Sequence, residues 1–86
     1  MGFTMESKLS SDAQLLLKLL RDNHEGDGVC DADGVTWYLV HTSVVHGQGL
    51  ALRSLGGLYS KLRQAGLYKS LDVQGNWGEV RAKSGL

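Results

Sequence analysis

Five side chains able to hydrogen-bond a polyanion or a base edge stand within one short stretch: Arg53, Ser60, Lys61, Arg63 and Gln64. Arg and Gln carry donor and acceptor geometry that fits purine edges, whereas Ser, Lys and Arg suit phosphate oxygens. Leu55, Leu58, Leu62 and Ala65 recur at helical steps through the same stretch. If they face a core, Arg53, Gly56, Ser60, Arg63 and Gln64 share the opposite side, with Lys61 and Tyr59 at its flanks. Lys69, Arg81 and Lys83 follow in a segment that reads as a hairpin. A solvated polar surface has a similar make-up, so charge must separate the two readings. Residues 53–86 hold Arg53, Lys61, Arg63, Lys69, Arg81 and Lys83 against Asp72 and Glu79, a net of +4. Residues 1–52 hold Lys8, Lys18 and Arg21 against Glu6, Asp12, Asp22, Glu25, Asp27, Asp31 and Asp33, a net of −4. The formal net charge of zero conceals this division. Asymmetry between halves points to contact with nucleic acid or a membrane surface.

Other constellations carry less. Asp31-x-Asp33-Gly34 has the look of a calcium loop, but the position two residues before Asp31 is Val29. The position six after Gly34, where the bidentate Glu belongs, is Val40. The aspartates are therefore expected to hold a turn through backbone bonds. Cys30, His24, His41 and His46 lack the tight spacing that fixes a zinc ion, and no metal or other cofactor is expected. No nucleophile elbow, H-E-x-x-H or dinucleotide-binding glycine pattern is present, so no catalytic residue is assigned and an enzyme is not expected.

The elements that must position the basic residues follow from patterning. A chain of 86 residues with 42% hydrophobic and 21% charged residues is long enough for one small core, and the reading is a single domain over 1–86. The ordered part is expected over about 10–83, with residues 1–8 a loosely held start. Ser10 or Ser11 is a natural cap for a first helix over about Asp12–His24, on which Ala13, Leu16, Leu17 and Leu20 share a face. Leu15 and Leu19 widen that stripe, and a second subunit is expected to cover them, giving a homodimer through this helix. Glu25 to Gly34, with three glycines and three aspartates, reads as a loop. Val35 to His46 is read as a second helix capped by Thr36, although its β-branched and aromatic residues also favour a strand. Gly47-Gln48-Gly49 breaks it. A third helix runs from Leu52 to Ala65 and ends at Gly66 in the C-cap position. Gly56-Gly57 inside it forfeits about 2 kcal/mol of helix propensity relative to alanine, which implies close approach by helix 2 or by a DNA backbone. Leu67–Val73 and Trp77–Lys83 then read as strands around Gln74-Gly75-Asn76, with Trp77 packing into the core.

This order, and above all Leu58-x-x-x-Leu62-x-x-Ala65-Gly66-Leu67, resembles the winged helix-turn-helix domain of small prokaryotic and phage DNA-binding regulators. Thr36-Trp37 is similar to the start of the second helix in such domains. The stretch from Thr36 to Gly57 is longer than their compact turn, which leaves residues 35–45 open between a short helix and a partial strand. The resemblance implies an α+β winged helix, a three-helix bundle with a helix-turn-helix and a C-terminal two-stranded β-hairpin wing. It further implies sequence-specific binding of double-stranded DNA by a small transcriptional regulator. The recognition helix would contribute Arg53, Ser60, Lys61, Arg63 and Gln64, and the wing Lys69, Arg81 and Lys83. The competing expectation is a winged-helix protein–protein interaction module that does not bind DNA. No apolar run approaches the ~20 residues of a membrane span, no basic-then-apolar leader opens the sequence, and the one cysteine forms no internal disulfide. A cytoplasmic, reducing location is the expectation.

Overall fold

A computed structural model describes residues 8–50 and 52–83. The first helix, α1, spans Ser11–Asp22 and is capped by Ser10, whose hydroxyl accepts from the Ala13 amide at 3.3 Å. Asp12 in its first turn and Arg21 in its last complement the helix dipole. Ala13, Leu16, Leu17 and Leu20 are all buried, as their spacing requires. Two strands follow, β1 (Glu25–Cys30) and β2 (Thr36–His41), then a 3-10 turn over Thr42–Val45. The second helix, α2, spans Leu52–Gln64, and β3 (Tyr68–Ser70) and β4 (Trp77–Arg81) close the described chain.

The strands form one antiparallel sheet in the order β1-β2-β4-β3. Among the described residues there are thus two α-helices and a four-stranded sheet, an α+β fold. This corrects the expected three-helix bundle with a two-stranded wing. Two segments make the difference. Thr36–His41 alternates between two faces, Val40 to the helices and Trp37 to the other side, so its β-branched and aromatic residues form a strand and not a second helix. Thr36 opens β2 and caps nothing helical, while helicity in this region is confined to the 3-10 turn, whose first turn His41 caps by accepting from the Ser43 amide at 3.1 Å. Glu25–Cys30, expected as loop, is an edge strand with an irregularity between Glu25 and Val29. Glycine makes that irregularity possible: Gly28 has φ +87°, and a Cβ there would stand 2.8 Å from Tyr38 Cε1. The Tyr38 ring fills this space and stacks on His24, centroids 3.9 Å apart.

Because β4 lies between β2 and β3, it is an interior strand, and there is no free wing among the described residues. One sheet face carries Val40, Val80 and Tyr68 into a core with Leu16, Leu20, Leu58 and Leu62. Each leucine buried there contributes roughly 1.5–3 kcal/mol of transfer free energy. Trp77 does not join this core. It lies three residues from Val80, hence on the opposite face, half-buried with its ring edge-to-face on His41 at 4.7 Å. The end of α2 follows its sequence signal closely. Gly66 has φ +76° and donates to Arg63 O, while the Leu67 amide donates to Leu62 O at 2.9 Å. This is a Schellman cap, and Leu62 and Leu67 supply its apolar contact. The expectation for residues 1–7 lies outside the described residues.

Asp31 holds the β1–β2 turn. One carboxylate oxygen accepts from the Asp33 amide at 2.8 Å and the Val35 amide at 3.0 Å, and the other accepts from the Trp37 indole at 2.9 Å. The Trp37 bond, then the Val35 and Asp33 amides and the nearby Lys69 charge, hold this carboxyl below the usual aspartate value against an opposing desolvation. A carboxyl depressed on folding stabilises the protein above the unfolded pKa of about 4, and that contribution is lost as pH falls through the lower folded value. Asp31→Asn is therefore expected to be less stable than wild type at pH 7, with the two curves converging as pH falls below about 4. Urea unfolding across pH 7 to 2.5 measures this, and a constant offset at every pH would contradict it.

Candidate nucleic-acid interface

Helix α2 carries Arg53, Lys61 and Arg63 and no acidic residue. Its buried residues Leu55, Leu58 and Leu62 seat it against α1 and β3. At 100° per residue, Arg53, Gly57, Ser60 and Gln64 then line the centre of the outward face, with Lys61 on one side and Gly56 and Arg63 on the other. Arg53, Lys61, Arg63 and Gln64 are exposed and Ser60 is half-exposed, its hydroxyl 3.4 Å from the Gln64 side-chain nitrogen. These five expected residues are brought together on one helix face. Tyr59, expected at the flank of this face, turns inward and sits 5.0 Å from Tyr68, centroid to centroid. Burial raises the pKa of both phenols, that of Tyr68 offset in part by the Arg63 charge.

A methyl group at Gly56 or Gly57 would meet no described atom within 4 Å. Close approach by another part of the fold is thus not the reason for these glycines among the described residues. They leave a low, smooth strip along the middle of the polar face. Beside it, Lys61, Gln64 and Ala65 meet Lys8, Leu9 and Ser10 across an open groove of about 330 Å³ between the two helices. Sequence reasoning missed Lys8. It precedes the helix cap, in a stretch without periodicity, and only the packing of α1 on α2 brings it alongside Lys61.

The three cations assigned to a wing are placed differently. Lys69 on β3 lies opposite Glu79, on the sheet face away from the helices, with its ammonium 4.0 Å from the centroid of the Trp37 ring. Arg81 pairs with Trp37 on that same face, and Lys83 is exposed beyond the end of β4. Lys69 and Arg81 do not share a surface with the α2 cations. The acids sit mainly elsewhere again, with Glu25 and Asp27 on edge strand β1 and Asp31 and Asp33 in the turn after it. His24 and His41 are engaged with Tyr38 and Trp77 respectively. Among the described residues no three of His, Cys, Asp and Glu gather as a metal site, and no helix is long and apolar enough to cross a membrane.

Comparison with protein-family models, with curated proteins and with solved structures gave no match for this chain. The open surroundings of Gly57 lead to a direct expectation. Gly57→Ala should stabilise the protein by about 1 kcal/mol through helix propensity alone, since nothing is displaced. Chemical denaturation tests this, and a loss of stability would mean the position is sterically closed.

Proposed function

We propose that this protein binds double-stranded DNA, as a small regulator of transcription would, by laying α2 in the major groove. The observation that carries the reading is the outward face of α2, where Arg53, Lys61 and Arg63 stand with Ser60 and Gln64 on a helix without a carboxylate. A helix fits the width of a B-form major groove, and Arg and Gln are the side chains best matched to purine edges. Lys61, with Lys8 across the groove beside it, is suited to phosphates. The Gly56-Gly57 strip lets a sugar–phosphate backbone come close to the helix. This reading draws on α2 and its neighbourhood and needs no wing.

Fluorescence anisotropy against duplexes selected from a random pool, and against random duplex, over a salt series is the test. Arg63→Ala should weaken the selected duplex by about 5- to 150-fold and random duplex far less, the loss of one bidentate base contact. Lys61→Ala should weaken both alike and lower the salt slope by about one. Gly57→Ala should weaken binding while raising stability, because its methyl group holds the backbone away. Wild-type protein that binds neither duplex at about 50 mM salt, with its fold intact by circular dichroism, would overturn the DNA reading and favour a protein-binding module.

A further inference from the structure

Among Arg53, Ser60, Lys61, Arg63 and Gln64 on the polar face of α2, only Gln64 carries a donor and an acceptor on separate atoms of one rigid plane. Arg and Lys can only donate, and the single oxygen of Ser60 cannot make two spaced contacts. The base edge that matches Gln64 is adenine in the major groove, where the N7 acceptor and the N6 amine donor stand side by side. Guanine shows two acceptors there, a pattern for Arg, while cytosine offers a donor and thymine an acceptor beside a methyl group.

The structure holds Gln64 in place from two directions. Its backbone closes α2, where the Ala65 amide donates to Lys61 O at 3.0 Å and the Gly66 amide to Arg63 O at 3.1 Å. Leu62, two residues earlier, is fully buried and anchors this last turn. The side chain is oriented by Ser60, one turn back on the same face, whose Oγ accepts from the Gln64 amide nitrogen at 3.4 Å. The bond is long and exposed, so it contributes orientation more than stability. A carboxamide has two N–H groups, and the one trans to the carbonyl oxygen lies on the side of the residue's own Cγ. With that N–H turned back to Ser60, the carbonyl oxygen and the other N–H remain together at the outer edge. These are the two groups that adenine requires. We infer that Gln64 reads an adenine, accepting from N6–H and donating to N7, and that Ser60 is its positioning residue. The inference rests on the DNA-binding reading above and adds a sequence preference to it, an A·T pair facing the C-terminal end of α2. Holding the amide before DNA arrives reduces the side-chain freedom lost on binding. Lys61 lines the same open groove as Gln64, so a backbone phosphate held by Lys61 passes beside the base pair that Gln64 reads.

The test uses the full chain and the duplex it selects from a random pool, followed by fluorescence anisotropy. 7-Deazaadenine, which lacks the N7 acceptor, replaces each adenine of the selected site in turn. At one position it should weaken wild-type binding about 5- to 150-fold, since the Gln64 donor loses its acceptor. In Gln64→Ala the same replacement should change binding by less than about twofold, because the group it pairs with is already gone. Ser60→Ala should lower the discrimination at that position alone by about two- to tenfold. Ser60→Thr, which keeps the hydroxyl, should restore it. Circular dichroism of each variant confirms that it is folded. A wild-type protein indifferent to 7-deazaadenine at every position, or a Gln64→Ala protein equally sensitive to it, would overturn the role of Gln64 and leave DNA binding standing. Unchanged discrimination in Ser60→Ala would overturn the positioning role. A folded wild-type protein that binds no duplex would overturn the DNA reading, and this inference with it.

Discussion

The pairing of β4 with both β2 and β3 is the constraint on which the rest of the structure depends. Val40 lies opposite Gly78, Tyr38 opposite Val80, and Val80 opposite Tyr68. These residues share one pleat face and build the core with both helices. A slip of one residue would turn Trp37 and Leu39 inward and expel Val40 and Val80. Gly78 is part of the specification, because a Cβ there would collide with the Tyr68 hydroxyl. The same pairing removes the hairpin from solvent as an independent arm and creates a second, uncovered sheet face.

That arrangement also sorts charge in space. The acid-rich segment becomes edge strand β1 and its turn, while α2 and β3, which carry most of the excess cations, are packed against each other at the other edge. A division between the halves of the sequence thus becomes a division between the sides of the molecule. It is not a single basic patch, however. The sheet separates the α2 cations from Lys69 and Arg81, and one of those two is already occupied with an aromatic ring. The cations therefore form two sets on two faces and not one continuous track.

The elements legible in the sequence are those whose signals are local. Ser10, the Ala13–Leu20 stripe and the Leu62-Gly66-Leu67 cap each act within a turn or two of helix, through bonds between residues three to five apart. They define α1 and α2 to within a few residues, and with α2 the five side chains of its polar face. The elements misread are those whose bonding partners are distant. Glu25–Cys30 has too much glycine to look like a strand, and it is held as one by Thr36, Trp37 and Leu39. Thr36–His41 carries residues that suit a helix or a strand, and pairing with residues 77–81 decides for the strand.

What the sequence by itself determined, then, is the identity and ends of the two helices, the turn-holding role of Asp31 and the residues that α2 turns outward. Each follows from backbone groups that must be satisfied locally and from a 3.6-residue period that assigns a face. Tertiary structure alone decided that Thr36–His41 is a strand followed by a 3-10 turn, that the hairpin is part of a larger sheet, that Trp77 and Val80 part company, and that Lys8 comes alongside Lys61. These outcomes depend on contacts between residues far apart in the chain, where the period-2 alternation of a strand has no fixed sense until a neighbouring strand supplies one.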